Sequence, residues 1–167
     1  MRMAATAGGL ARDARFGAGI IAAMSAEAAF ILMVTAVTIA RGMDPWMPSR
    51  MAGALILGPA AVQPPGFVAA DVAVGLGLHA GMAVLVGALY AALLPRVGVS
   101  PVTGGIMAGM LLYVFGFWIL PLLFPSWLAP FWLPPLEKLL QGIAHVAYGI
   151  VFGWAYGGLN RSTYQPQ

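Results

Sequence analysis

The chain contains no cysteine and few charged residues, and these absences exclude whole classes of protein. None of its 167 residues is cysteine, 8% are charged and 61% are hydrophobic. Without cysteine, the protein has no disulfides, no thiolate metal sites and no iron–sulfur ligation. So little charge among so many apolar residues is typical of an integral membrane protein and not of a soluble domain. We therefore expect a lipid bilayer around the chain and no nucleic-acid partner, despite a formal net charge of +3.

Catalytic motifs are also missing from the sequence. It has no Gly-rich phosphate loop, no nucleophile elbow and no HExxH run. The loops between the apolar stretches are too short to form a soluble catalytic domain. We therefore predict that the protein is not itself an enzyme, and that any link to catalysis is as an accessory subunit of an enzyme complex.

Four apolar stretches are long enough to cross a hydrocarbon core, which needs roughly 20 residues. They cover about 16–40, 67–94, 102–124 and 138–159. A fifth apolar run, 51–62, is too short and contains a proline, which predicts an interfacial or re-entrant segment. The fold class is therefore an all-α integral membrane four-helix bundle that forms a single membrane domain over the whole chain.

Basic residues are distributed unequally between the two sides of these spans. The positive-inside rule assigns the side richer in Lys and Arg to the cytoplasm. That side carries both chain termini, which predicts an N-in and C-in topology. Its basic residues are Arg2, Arg12, Arg15, Arg96 and Arg161, against Arg41, Arg50 and Lys138 on the other side.

The second half of the sequence resembles the first. Residues 71–93 align without a gap with residues 137–159, which matches His79 with His145. The two preceding spans also align at a constant shift. The only two histidines of the chain thus occupy equivalent positions, as expected after an internal duplication.

Such a duplication predicts two tandem hairpins, one over 16–95 and one over 102–160. Each hairpin crosses the membrane twice, so both copies have the same orientation. Their pseudo-twofold axis should therefore run along the membrane normal, as in parallel repeats.

Four polar residues are predicted to lie in one layer near the middle of the membrane. Glu27 and Tyr113 each lie about eleven residues into their spans, which is roughly 16 Å at 1.5 Å per residue. His79 and His145 reach a similar depth from the opposite ends of theirs. A carboxylic acid at this depth is costly unless it is paired or protonated, so Glu27 is a candidate functional residue, whether as an imidazole partner or in a proton path.

Each histidine shares a helix face with a tyrosine eleven residues further along, Tyr90 after His79 and Tyr156 after His145. If both faces point to the pseudo-twofold axis, the imidazoles meet from parallel helices, which suits two-histidine ligation of a haem b. Glycines one turn before each histidine would leave room for a flat cofactor. These glycines are Gly75 and Gly142.

Other ligands fit the same residues. Bacteriochlorophyll would need one histidine per pigment, and His79, His145 and Glu27 could together hold a divalent transition metal. Copper would suit imidazole with thioether sulfur from nearby methionines, such as Met82. The histidines could also bind no cofactor and only form hydrogen bonds between helices, which stabilises a bundle by on the order of 1 kcal/mol.

The stretch from the Glu27 helix through PWMPSRMAGALILGPAAV (45–62) to His79 resembles a group of small four-span bacterial membrane proteins of unknown function. Some of these are labelled sodium:proline symporters. The shared pattern is a Gly/Ala-rich helix with a central Glu, then PW, then PxRM with a small-apolar run, then a helix with His. The resemblance implies a multi-pass protein of a bacterial inner membrane and supplies no activity.

Together these patterns favour a small non-catalytic membrane subunit of a larger bacterial redox complex, with other transmembrane subunits as partners and haem b between His79 and His145. The alternatives are a cofactor-free subunit that packs helices for assembly, and an oligomer that conducts protons or small solutes through Glu27.

Overall fold

The computed structural model describes residues 2–63, 65–123 and 135–163, with side chains for residues 12–63, 65–123, 135–136 and 138–160. Every secondary-structure element within these ranges is helical. In chain order they are α1 (Arg2–Ala40), α2 (Met47–Leu57), a 3₁₀ turn (Pro59–Val62), α3 (Ala69–Val97), α4 (Pro101–Val114), a π turn (Phe115–Ile119), α5 (Leu120–Leu123) and α6 (Pro135–Thr163).

Four of these helical stretches are long and apolar enough to cross a membrane. They are Arg12–Ala40, Ala69–Val97, Pro101–Leu123 and Lys138–Asn160. Large apolar side chains cover their outer surfaces; Trp154 is 74% exposed and Leu32 is 71% exposed. Such a surface is stable only against lipid or another apolar partner. The prediction of an all-helical multi-pass membrane protein with four candidate spans is therefore confirmed.

The first helix is longer than its apolar stretch. It begins at Arg2, about fourteen residues before the predicted span, because the N-terminal segment is rich in alanine and contains no proline. Its 39 residues correspond to about 58 Å, whereas a hydrocarbon core is about 30 Å thick. The helix therefore extends well beyond any membrane that its apolar part spans.

The short apolar run after the first span is a helix followed by a tight turn. Pro48 lies in the first turn of α2, where its missing N–H costs no hydrogen bond. Gly58 ends the helix with a φ of +81°, a conformation that favours glycine. The helix begins a few residues earlier than the predicted interfacial segment.

Contacts between small residues hold neighbouring helices close together. A Cβ added to Gly19 would lie 2.4 Å from the carbonyl oxygen of Gly87, and one added to Gly105 would lie 2.2 Å from that of Gly149. These distances are far below van der Waals contact, so only glycine fits there. The antiparallel pairs α1–α3 and α4–α6 are therefore packed backbone against backbone.

The arrangement of these two pairs departs from the predicted twofold symmetry. α1 and α6 pack extensively against each other, whereas α3 and α4 contact each other at few positions. A twofold axis would make these two contacts equal. The two halves also differ in α2, which packs on α3 and has no counterpart in the part of the second half that the structure describes.

The core lies where α1, α3 and α6 meet. Ala22, Ala23 and Ala26 of α1 form one buried cluster with Tyr148 and Phe152 of α6. Alanine on one helix leaves space for the aromatic rings of the other. We call the end of the bundle with residues 41–68 the loop end, and the opposite end, with residues 98–100, the link end.

Several predicted features lie outside the described residues. These are the last residue of the third predicted span and the side chains of Arg2 and Arg161.

Candidate functional site

Glu27 and His79 form a direct pair between α1 and α3. The Nδ1 atom of His79 lies 2.7 Å from Oε1 of Glu27, and the two side chains are 25% and 12% exposed. The close packing of Gly19 on Gly87, about two turns away, brings these helices near enough for the pair to form. The most costly acid of the chain thus has a hydrogen-bond partner within the bundle.

His145 has a different environment on α6. Its Nδ1 lies 2.7 Å from the backbone carbonyl oxygen of Gln141, one turn earlier in the same helix. Three aromatic rings surround the imidazole: Phe30 edge-on at 4.9 Å, Phe117 at 5.7 Å and Tyr113 at 5.8 Å between ring centroids. The backbone hydrogen bond and the aromatic rings hold this histidine in a fixed orientation.

Both imidazoles line one cavity of about 480 Å³, a volume within the usual range for small-molecule sites. The cavity lies between α1, α2, the π-turn region and α6, on the loop-end side of the Glu27–His79 pair. Its walls are mainly apolar. Its lining includes Phe30, Val34, Val37, Thr38, Arg41, Met47, Met51, Leu55, Phe117, Leu120 and Gln141.

The hydrogen bonds of the two histidines decide which ring nitrogens are available to a ligand. Because a carbonyl oxygen only accepts, His145 must carry a proton on Nδ1, and the Nε2 atom of its neutral ring keeps a lone pair. The Nδ1 atom of His79 likewise donates when Glu27 is ionised. Metal-binding histidines are usually held in this way, with Nδ1 bonded to a carboxylate or a carbonyl and Nε2 on the metal. Both histidines could therefore offer Nε2 to a metal-containing ligand in the cavity.

The predicted glycines do not line this cavity. Gly75 lies in the contact between α2 and α3, where an added Cβ would be 1.8 Å from the carbonyl oxygen of Ser49. Gly142 instead faces the ring of Tyr113. Their small size serves helix packing and ring packing, and the cavity is lined instead by side chains of other residues.

The predicted tyrosines lie in two different places. Tyr113 contacts His145, as described above, whereas Tyr90 and Tyr156 meet each other near the link end at 5.0 Å between ring centroids. The hydroxyl of Tyr90 donates to the backbone carbonyl of Pro101. Neither link-end tyrosine lines the histidine cavity.

A three-ligand metal site receives no support from the arrangement. Among the residues that the structure describes, no three His, Cys, Asp or Glu side chains form a group that could hold a metal ion. Glu27 is paired with His79, yet His145 does not join them in such a group. Met82 is 36% exposed and does not line the cavity, whereas four other methionines do, namely Met33, Met43, Met47 and Met51.

A buried arginine organises the loop end above the cavity. Arg50 on α2 is 1% exposed; its Nε donates to the carbonyl of Ala61 and its Nη1 to that of Gly66, both at 2.9 Å. Carboxylates on two sides balance its charge, with Asp44 at 3.4 Å and Asp71 at 3.8 Å. This cluster fixes α2 and the following loop to the start of α3.

The carboxylate of Asp44 is held in its ionised form. The backbone N–H of Gly66 donates to its Oδ2 at 2.7 Å and lowers the pKa of Asp44 below its ordinary value of 3.8. The N–H of Trp46 and the charge of Arg50 act in the same direction, while partial burial opposes them. The loop end is thus closed by an ionised carboxylate and a buried guanidinium.

Sequence reasoning identified the two histidines, Glu27 and Tyr113 but missed the other aromatic rings around His145. Phe30 and Phe117 are ordinary apolar residues of a span, and nothing in their spacing marks them as histidine contacts. The acceptor for His145 is a backbone carbonyl, which every residue has. The sequence marks Arg50 as a topology signal and as part of the PxRM pattern, but not as a buried charge; its position between Asp44 and Asp71 is the available sign of a buried cluster.

Comparisons with known proteins return no relatives for this chain. No family model, no curated protein and no solved structure matches it.

Proposed function

We propose that this chain is a small, non-catalytic membrane subunit of a bacterial redox complex and that its bundle holds haem b between His79 and His145. One observation carries the proposal: both imidazoles line the same apolar cavity with their Nδ1 atoms already bonded. The Nε2 atoms of His79 and His145 would then be the nitrogens that hold the iron. When bound, haem b would supply one-electron transfer.

The residues around the cavity would each contribute to binding. Glu27 would orient the imidazole of His79 and increase its basicity, and the carbonyl of Gln141 would do the same for His145. Phe30 and Phe117 would exclude water and offer rings against a flat ligand. Low polarity around an iron site is one of the factors by which proteins set its reduction potential.

The test is a titration of the purified full-length protein in detergent with ferric haem, followed by a reduced-minus-oxidised spectrum. The wild type should give the sharp bands of a low-spin two-histidine haem. His79→Ala and His145→Ala should each abolish them. Ser25→Ala is the control, because this exposed hydroxyl bonds to the carbonyl of Ile21 in its own helix, does not line the cavity and should leave the spectrum unchanged. A spectrum that is the same in wild type and both histidine variants would refute haem ligation.

A second candidate is a cofactor-free subunit that packs against other transmembrane helices. It is favoured by the same hydrogen bonds, since both histidines already have partners inside the bundle, and by the apolar cavity, which a partner helix could cover. In that case the complex isolated from native membranes should contain a second protein and no haem, and a bulky substitution such as Ala144→Trp at the cavity wall should release it.

We also propose that the chain arose by duplication of one hairpin and has both termini in the cytoplasm. The glycine contacts support the duplication, because Gly19 and Gly105 are matched positions in the two halves and each lies against the partner helix of its own hairpin. The distribution of basic residues supports the orientation.

A further inference from the structure

The histidine cavity extends from the middle of the bundle to the loop end, and its two ends differ in charge. The deep end carries two imidazoles, and the mouth carries Arg41, which is the charged residue among the described cavity-lining residues. The walls between them are apolar. A ligand that matches this pattern has a metal-binding or acceptor centre at one end, a flat apolar body and an anionic edge.

The backbone at the mouth is held in place by the end of α1. The N–H of Gly42 donates to the carbonyl of Ile39 and that of Met43 to the carbonyl of Thr38, which together form a Schellman motif. Gly42 has a φ of +67°, as this motif requires. Arg41 is therefore the last residue of an ordered helix end, about 16 Å along the axis from Phe30, which contacts His145.

We propose that Arg41 binds the carboxylates of the ligand and thereby fixes its orientation in the cavity. This inference rests on the proposed function, because haem b carries two propionate groups on one edge of its ring. Carboxylates are strongly disfavoured in hydrocarbon, so that edge must turn toward the mouth of the cavity, where Arg41 lies. A guanidinium binds a carboxylate through two parallel hydrogen bonds, which suits Arg41 better than a lysine for this role.

The experiment compares porphyrins with and without free carboxylates on the same purified, full-length protein. Binding is measured by absorption titration with ferric haem b, with its dimethyl ester, and with metal-free protoporphyrin. The variants are Arg41→Gln and Arg41→Lys, with Arg96→Gln as the control that removes an equal charge at the link end. Circular dichroism and gel filtration check that every variant folds as the wild type does.

For ferric haem, Arg41→Gln should weaken binding by about 10- to 100-fold, the effect of losing hydrogen bonds to a charged group, and Arg41→Lys by less. The dimethyl ester should bind the wild type as weakly as ferric haem binds Arg41→Gln. Arg41→Gln should not weaken the binding of the ester any further. Metal-free protoporphyrin should keep its dependence on Arg41 and lose any dependence on His79. Arg96→Gln should change none of these affinities.

The failures of the two proposals are distinguishable. Haem binding that needs both histidines but is equally tight in the wild type and Arg41→Gln would overturn this inference alone. Haem binding that is independent of both histidines would overturn the ligation proposed above. No binding of any of the three porphyrins would overturn both.

Discussion

Glu27 and His79 show how a membrane protein tolerates an acid in an apolar layer. Each side chain alone would cost several kcal/mol in hydrocarbon, but a direct hydrogen bond at 2.7 Å satisfies both. The pair also ties α1 to α3 at a level where most other contacts are between apolar groups. Removing either side chain would leave the other buried and unpaired, and the pair stabilises the fold by avoiding that cost.

Two substitutions at Glu27 should distinguish the effect of the hydrogen bond on stability from the effect of the charge. Glu27→Leu leaves Nδ1 of His79 without an acceptor and should lower the free energy of unfolding by about 1–3 kcal/mol. Glu27→Gln keeps an acceptor oxygen and should have a much smaller effect. Thermal unfolding in detergent measures both. Ser25→Ala is the control, because that exposed hydroxyl bonds only to the Ile21 carbonyl of its own helix. Equal unfolding midpoints for the Leu and Gln variants would contradict the expectation.

Asp44 gives the loop end a pH dependence. Its pKa in the folded protein lies below 3.8, so its ionised form contributes stability above that value. This contribution is lost as the pH falls through the lowered pKa, because the folded protein must then take up a proton against the hydrogen bond from Gly66.

Asp44→Asn should therefore destabilise the protein at pH 7 but not at strongly acidic pH. The measurement is the difference in unfolding midpoint between wild type and variant across the pH range. The difference should be constant above about pH 5 and should shrink as the pH falls below 4. A difference in unfolding midpoint that grows as the pH falls would contradict this expectation.

At the scale of the helices, glycine has two distinct uses in this bundle. Gly105 lies directly against the backbone of α6, whereas Gly77 on α3 has open space around it. The first is required by the distance between two helices. The second is tolerated in a helix that faces lipid.

Alanine substitution at these two glycines should therefore have opposite effects. Gly105→Ala places a Cβ 2.2 Å from the carbonyl oxygen of Gly149, so α4 and α6 must move apart, at a cost of about 1–3 kcal/mol. Gly77→Ala meets no atom within 4 Å and should leave stability unchanged or raise it slightly through helix propensity. Unfolding in detergent compares the pair, and a Gly105→Ala variant as stable as Gly77→Ala would show that this close contact does not exist.

For the whole molecule, the absence of cysteine makes the proposed topology directly testable. Single cysteines at Met43 and Ser100, both exposed at opposite ends of the bundle, would be the only thiols in the chain. A membrane-impermeant maleimide should label Met43→Cys in intact spheroplasts and Ser100→Cys only after permeabilisation. Leu111→Cys, 69% exposed on the apolar outer surface, should react in neither case. The opposite labelling pattern would invert the topology.

Features of this molecule that arise from local sequence patterns can be predicted from the sequence, and features that arise from helix packing cannot. The spans depend on the length of apolar runs, which can be counted, and all four correspond to helices in the structure. Glu27, His79 and His145 were found because ionisable groups are rare in such runs. Their partners depend on how the helices cross, and no local pattern encodes that. The unequal contacts between the two hairpins were not predictable either, because they too depend on how the helices cross.

The π turn at Phe115–Ile119 has a consequence for the surroundings of the two histidines. A π turn takes up about one residue more than an α-helical turn, so the helix beyond it is rotated relative to the helix before it. Phe117, which contacts His145, lies within this widened turn. The matching part of α1 is uninterrupted α-helix, and the two stretches align at a constant shift. The same number of residues is therefore wound differently in the two halves, so the two histidines can have different neighbours without any change in chain length.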